Sequence, residues 1–205
     1  MPIILYLETN FILAMAKGQN GLADNILQKP AENLTIAIPS ICLMESLVAW
    51  ENQQKRNRSF IQAAQIEINE AQRNISSEEA RSVTDFLQQS LISYENLLFE
   101  LENRFDNVLE TLNNRVELIE PKIKNLQSTL REPSLNKKSE RRDDFILQCI
   151  LDHASSNLEK TKAFFSENSK QFGQPVVRNA LTERGIRYFS NKSNLEGWLQ
   201  SLESE

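Results

Sequence analysis

Residues 3–10 read Ile3-Ile4-Leu5-Tyr6-Leu7-Glu8-Thr9-Asn10, an apolar run that ends in an acid and two polar residues. A short apolar run of this kind is typical of a strand that is buried on both faces of a parallel sheet. Glu8 then lies at the carboxyl end of that strand, which is the edge where open parallel sheets bind their ligands. This stretch therefore predicts an α/β fold and marks a candidate site.

Strands and helices alternate outward from this stretch. The same kind of pattern predicts three further strands, over residues 34–38, 162–166 and 186–190. Helices are predicted between and after the strands, over residues 11–16, 22–29, 122–131, 141–154, 175–184 and 193–203. Alternating strands and helices favour a mostly parallel sheet. We therefore expect a three-layer α/β/α sandwich with a sheet of about four to five strands.

The middle of the chain is predicted to be helical. It has no glycine between residues 22 and 172, and apolar residues recur there at spacings of three and four. Ser76 and Glu79 form a capping-box pattern, so the chain should reverse near residues 74–77. The second helix then carries an apolar seam at Leu87, Leu91, Tyr94, Leu98, Leu101, Phe105, Val108 and Leu112.

Two such helices in sequence predict a long antiparallel hairpin. We expect it as an insertion at about residues 51–135 of a single domain that spans residues 1–205. The seam fits packing within the chain as well as an interface with a second copy.

The composition excludes several classes of function. With 23 basic and 28 acidic side chains the net charge is −5, so nucleic-acid binding would have to use local basic patches. Cys42 and Cys149 predict buried thiols rather than a disulfide framework, and with His153 as the single histidine they exclude a zinc site. The sequence has no apolar run long enough for a membrane span and no secretory signal pattern, so we expect a cytoplasmic protein.

Oxygen-bearing side chains follow the predicted strand ends or begin the neighbouring helices. They are Glu8, Thr9 and Asn10, then Glu45, then Asp143 and Asp144, then Ser166 and Asn168. Carboxylates held close together repel each other unless a cation lies between them, and Mg²⁺ prefers oxygen ligands and can activate water at a phosphate. No glycine-rich phosphate loop or nucleophile elbow is present. The pattern favours a metal-dependent hydrolytic site.

Four segments, in order, resemble the motifs of PIN-domain nucleases. They are residues 7–12, with Glu8-Thr9-Asn10; residues 39–45, with Ser40 and Glu45; residues 144–147, beginning at Asp144; and residues 165–172, with Ser166 and Asn168. The resemblance covers residues 1–48 and 141–203. It implies a parallel α/β/α fold and Mg²⁺- or Mn²⁺-dependent cleavage of RNA in an acidic pocket.

The resemblance also implies roles for individual residues. Glu8, Glu45 and Asp144 would be the catalytic acids that hold the metal, with Asp143 as the alternative to Asp144. The supporting residues would be Thr9, Asn10, Asp143, Ser166 and Asn168. A basic cluster precedes the third acid, and we expect it to bind the RNA backbone through Lys137, Lys138, Arg141 and Arg142.

Two other hypotheses remain open. Glu8 and Asn168 replace residues that are usually Asp in the family pattern, which fits a weak or inactive module that acts through protein–protein interaction. Its hairpin would then contact a second copy or a partner protein. The third hypothesis is a ribonuclease toxin that a partner protein neutralises, as in a toxin–antitoxin pair.

Overall fold

A parallel sheet forms the centre of the protein. The computed structural model describes residues 2–19, 21, 26, 33–131, 133–135 and 140–203. The strands of the described part are β1 (Ile3–Tyr6), β2 (Leu34–Pro39), β3 (Glu117–Ile119), β4 (Thr161–Phe165) and β5 (Ile186–Phe189). They lie in the order β3-β2-β1-β4-β5, and every neighbouring pair is parallel. The predicted α/β fold is confirmed.

Both faces of the sheet are covered. All four residues of β1, at the centre of the sheet, are buried. Successive side chains of a strand point to opposite faces, so helices must cover the sheet on each side. The result is the expected three-layer arrangement, in which one apolar core contains all the central strands.

Eight helices surround the sheet in the described part of the chain. They are α1 (Thr9–Ala16), α2 (Ile41–Arg73), α3 (Glu78–Arg115), α4 (Ile123–Arg131), α5 (Arg141–Ser155), α6 (Ser169–Phe172), α7 (Pro175–Glu183) and α8 (Lys192–Glu203). The helix predicted over residues 22–29 lies outside the described residues, apart from Ile26, which is helical and buried. Gly18 and Gly185, at positive φ, follow α1 and α7 as the sequence predicts.

The two longest helices form the predicted hairpin. α2 has 33 residues and α3 has 38, so each is about 50 Å or more in length. The chain reverses at residues 74–77, but the cap is Ser77, whose Oγ accepts a 3.2 Å hydrogen bond from Ala80 N. The sequence prediction of Ser76 as the capping residue is therefore wrong by one position.

The apolar seam of α3 packs inside the chain. Phe105 stacks on Trp50 of α2 with ring centres 4.5 Å apart, and Val108 and Leu112 join the main core. Further along the hairpin, Tyr94 donates a 3.1 Å hydrogen bond to the buried Asn57. Val108 and Leu112 thus fix the base of the hairpin to the sheet, and the other contacts hold its two helices together. The limits of 51–135 for an insertion stay a prediction.

Strand β3 is an element that the sequence did not predict. It has only three residues, between α3 and Pro121, and pairs with β2 at the edge of the sheet. A hydrogen-bond path that runs from the core to the surface ties it to the centre: Tyr6 Oη lies 3.0 Å from His153 Nδ1, and His153 Nε2 lies 3.0 Å from Glu117 Oε1. This path joins β1, α5 and β3.

Two further sequence predictions concern the cysteines and the membrane. Cys42 and Cys149 are buried and free, as expected. Burial raises the pKa of both thiols, to about 11 for Cys149. Within the described ranges, no helix combines the length and the apolar character that crossing a bilayer requires.

Candidate active site

Glu8 occupies the carboxyl edge of the sheet, where the parallel register brings it beside Ser166. Tyr6 pairs with Phe164, so two residues further along each strand Glu8 meets Ser166. Ser166 Oγ donates a 3.0 Å hydrogen bond to Glu8 Oε1. The other carboxylate oxygen, Oε2, accepts a 2.8 Å bond from Asn10 N, which makes Glu8 the N-cap of α1.

The surroundings of Glu8 disfavour the charged form of its carboxyl. It is 3% exposed, and burial raises its pKa to about 7. That value includes the lowering effect of the hydrogen bonds from Asn10 and Ser166 and the smaller raising effects of the negative charges of Asp143 and Glu45. A cation at this place would remove the electrostatic penalty that the three acids impose on one another.

Glu45 is fixed from two sides. It lies on the second turn of α2, and its Oε2 accepts a 2.7 Å hydrogen bond from Thr9 Oγ1. Its Oε1 lies 3.6 Å from Nε of Arg142, an exposed residue at the start of α5. Thr9, one of the predicted supporting residues, thus contacts one of the candidate acids.

Asp143 faces the same cluster. Burial raises its pKa to about 6, and the next largest cause is the charge of Glu45. The neighbouring Arg142 acts against this shift. The charge of Glu45 thus acts on both Glu8 and Asp143, and the three acids come from three elements that meet at the carboxyl edge of the sheet.

Asp144 makes different contacts. It is fully buried, and its Oδ1 accepts hydrogen bonds from Ser134 N at 2.8 Å and Leu135 N at 3.0 Å. Burial raises its pKa against the effect of these bonds. The structure therefore places the carboxylate of Asp144 on the segment before α5, while Asp143 interacts with the acids of the other elements. Whether Asp144 or Asp143 is the catalytic acid therefore stays a prediction, and the contacts of the two residues differ.

The expected supporting residues contribute in unequal ways. Ser166 contacts Glu8 directly, and Asn168 donates its backbone N–H to Ser166 Oγ at 3.0 Å. Asn10 also acts through its backbone, while its side chain is exposed. The acidic cluster thus rests on one hydroxyl and two backbone amides around Glu8.

The predicted basic cluster divides into three cases. Arg141 donates a hydrogen bond to the carbonyl of Thr129, which ties α5 to α4. Arg142 is exposed beside Glu45. Lys137 and Lys138 lie outside the described residues. Of the cluster, Arg142 is the residue that this part of the structure brings to the acids.

Sequence analysis missed a tyrosine at the site. Tyr188 of β5 donates a 3.0 Å hydrogen bond to the carbonyl of Ser166. Burial is the main cause that raises the pKa of Tyr188; the charge of Arg178 lowers it, and the charge of Glu8 raises it. The sequence offered one signal, a tyrosine near the end of a predicted strand. The contact itself could not be predicted, because Ser166 is 22 residues away.

The donor chemistry suits a hard divalent cation, although the acids do not form a closed shell. Among the described residues, no three His, Cys, Asp or Glu side chains lie close enough together to hold a metal ion directly. Mg²⁺ keeps several waters and is often bound through one or two carboxylates. The mutual repulsion of Glu8, Glu45 and Asp143 therefore fits an ion held partly through water.

Comparison with known proteins identifies a family. A family model described as a PIN domain matches residues 5–172, a range that includes all the candidate acids and the hairpin. No curated protein matches the sequence. A solved structure, that of VapBC2 from Rickettsia felis bound to a DNA fragment from their promoter, aligns over 91% of this chain and 98% of its own. The identity is 16% and the TM-score 0.40.

Proposed function

The chain belongs to the PIN domain family, and from this premise we propose that it is a ribonuclease that uses Mg²⁺ or Mn²⁺ to cleave RNA phosphodiester bonds. The observation that carries the proposal is the electrostatic coupling of three carboxylates at the carboxyl edge of the sheet. Burial is the largest cause that raises the pKa of Glu8 and of Asp143 there; the charge of Glu45 adds to both shifts, and the charge of Asp143 adds to that of Glu8. A structural role alone gives no reason to collect like charges at one edge.

Glu8, Glu45 and Asp143 would hold the cation, in part through water. When bound, the ion supplies Lewis acidity toward a phosphate oxygen and lowers the pKa of a coordinated water. Glu8 contributes a fixed oxygen, because the hydrogen bonds from Ser166 and Asn10 allow it little rotation. Thr9 fixes Glu45 in the same way.

Arg142 has a role that depends on the cation. Its guanidinium lies beside Glu45 and is 77% exposed. With a divalent ion held at the acids, Glu45 would no longer need Arg142 as its counter-charge, and the guanidinium would be available to a phosphate of the substrate. Lys137 and Lys138 precede it in sequence, and we include them in the proposed RNA contact.

A cleavage assay on RNA of mixed sequence, with and without Mn²⁺, tests the proposal. We expect metal-dependent cleavage that Glu8→Gln and Asp143→Asn abolish while the fold is retained. Glu67→Gln is the matched control, since it neutralises an exposed glutamate on the hairpin. Cleavage by Glu8→Gln at the rate of the unchanged protein would rule out this assignment of the site.

A second candidate function is interaction with another protein through the hairpin. It is favoured by aromatic side chains on α2 and α3 that lie in solvent, with Phe60 57%, Phe86 75% and Phe99 65% exposed. A helical hairpin that exposes several large apolar side chains is a candidate interaction surface. A second copy or a neutralising partner protein, as in a toxin–antitoxin pair, would cover them.

The sedimentation behaviour of the full chain tests the self-association form of this second proposal. We expect Phe86→Ser and Phe99→Ser to shift a dimer to a monomer, with the helical content unchanged. A monomer at every concentration, both before and after substitution, would exclude a second copy as the occupant. Toxicity on expression, lost in Glu8→Gln, tests the toxin form.

A further inference from the structure

Arg178 and Tyr188 form a cation–π pair next to the acidic cluster. Cζ of Arg178 lies 5.6 Å from the centre of the Tyr188 ring. Tyr188 Oη donates to the carbonyl of Ser166, and the hydroxyl of Ser166 donates to Glu8. A guanidinium is thereby placed two hydrogen-bonded residues away from the Glu8 carboxylate.

The tyrosine ring is a rigid support. Tyr188 pairs with Phe164 in the β4–β5 register, and their ring centres are 5.9 Å apart. Phe164 is fully buried, and the Tyr188 hydroxyl is fixed by its bond to Ser166. The side chain under the guanidinium therefore has little freedom to move.

The Arg178 guanidinium has N–H groups that can bind a ligand. Arg178 lies on the exposed side of α7, and a cation–π contact leaves the N–H groups of an arginine free to bind an oxyanion. In the described portion of the chain Arg178 forms no ion pair with a carboxylate, whereas Arg142 pairs with Glu45 and Lys192 with Glu167. Its charge is thus available to a ligand.

The sheet order places this pair opposite Arg142. Glu45 and Arg142 lie on the β2 side, Glu8 follows β1, Ser166 follows β4, and Tyr188 is in β5. Four neighbouring strands span about 14 Å at about 4.8 Å per step. A nucleic-acid strand that crosses this edge would meet one arginine on each side of the acids.

We propose that Arg178 is a substrate-positioning residue that binds a phosphodiester group of the RNA on the β5 side of the acidic cluster, an inference that rests on the proposed ribonuclease function. Tyr188 holds the guanidinium in place and orients it. The bound phosphate is not the one that is cleaved, because Ser166 and Tyr188 separate Arg178 from Glu8.

Binding of a short fluorescein-labelled single-stranded RNA to the full chain, measured by anisotropy in EDTA over a range of NaCl concentrations, tests the proposal. EDTA prevents cleavage, so that contact alone is measured. Arg178→Ala should weaken binding roughly tenfold, because a charge-assisted hydrogen bond is lost. It should also reduce the slope of log K against log salt by about 0.7, the value for one phosphate contact on a single strand.

Three variants separate phosphate binding from a structural effect. Arg178→Lys should keep the salt slope and bind with intermediate affinity, since it keeps the charge and loses the planar stack. Tyr188→Phe should keep the slope, because the ring remains. Arg187→Ala is the matched control: Arg187 stacks on Phe189 at 5.1 Å, but alternation along β5 puts it on the opposite face from Tyr188.

An unchanged affinity and salt slope in Arg178→Ala, or an equal loss in Arg187→Ala, would overturn the proposal while the ribonuclease function stands. If the unchanged protein neither binds RNA in EDTA nor cleaves it with Mn²⁺, the proposed function fails and this inference fails with it. The two failures are thereby distinguished.

Discussion

Ser166 Oγ donates a 3.0 Å hydrogen bond to Glu8 Oε1, although the two residues are 158 positions apart in sequence. The contact follows from strand pairing, since each residue extends one of two adjacent parallel strands. It stabilises the ionised form of a buried carboxylate, which burial otherwise disfavours.

Replacing Ser166 by Ala should therefore destabilise the protein more at pH 8 than at pH 5. A hydrogen bond to a charged group contributes about 2 kcal/mol and one to a neutral group about 1 kcal/mol. Urea unfolding at the two pH values measures the difference. Ser201→Ala, which removes an exposed hydroxyl bonded within its own helix, is the control. An equal loss at both pH values would contradict the assigned charge state.

Glu8→Gln should change the pH dependence of stability. Burial raises the pKa of Glu8 from 4.5 to about 7, so between these values the folded protein holds a proton that the unfolded chain has lost. Stability therefore falls as pH rises through this window, by up to about 3 kcal/mol from this group. Glutamine carries no such proton, and this part of the fall should disappear.

Thermal unfolding of both proteins from pH 4 to pH 8, without metal, provides the measurement. The variant should gain stability relative to the unchanged protein as pH rises. The pKa of Asp143 is also raised, so Asp143 also makes stability fall as pH rises, and it does so in both proteins. Parallel curves for the two proteins would show that Glu8 ionises normally in the fold.

The sequence predicted the strands around Glu8 because a buried parallel strand is a continuous apolar run, and that signal is local. The choice between Asp143 and Asp144 could not be made in this way. Adjacent residues on a helix point about 100° apart, and which of them meets Glu45 depends on where the segment at Ser134 and Leu135 lies. That segment needs an acceptor for its backbone N–H groups, and Asp144 supplies it.

The cation–π pair at β5 could not be predicted from the sequence, for a related reason. Arg178 and Tyr188 have no motif spacing, and only the sheet order brings them to the acids. Strand β3 escaped prediction because three residues carry too little periodicity. Local patterns thus gave the elements, whereas the contacts between elements depended on tertiary packing.

Asp143→Ala and Asp144→Ala should have opposite consequences. Asp144→Ala leaves the backbone N–H groups of Ser134 and Leu135 without their acceptor, at a cost of about 2–4 kcal/mol. Asp143→Ala removes a carboxylate whose charged form is disfavoured by burial and by the charge of Glu45. This variant should therefore keep its stability and lose cleavage. Denaturant unfolding together with the Mn²⁺-dependent RNA assay separates the two. If Asp144→Ala were stable and inactive while Asp143→Ala stayed active, Asp144 would be the site acid.

The path from Tyr6 through His153 to Glu117 makes a prediction about the edge of the sheet. Tyr6 is fully buried, and its hydroxyl lies 3.0 Å from His153 Nδ1. His153→Ala leaves that hydroxyl without its partner and should cost about 1–3 kcal/mol. Tyr6→Phe removes the hydroxyl as well as the need for a partner, so it should cost only about 1 kcal/mol.

The double variant shows whether His153→Ala destabilises the protein through the unpaired Tyr6 hydroxyl or through a loss of packing. Since Phe has no hydroxyl to satisfy, adding Tyr6→Phe to His153→Ala should recover part of the lost stability, measured by urea unfolding at pH 8. If the stability losses of Tyr6→Phe and His153→Ala instead add in the double variant, the two changes are independent. The unpaired Tyr6 hydroxyl would then not be the cause of the loss in His153→Ala. Asp152→Ala, which removes an ion-pair partner of Lys122 on the same turn of α5, is a control that should show additivity with Tyr6→Phe.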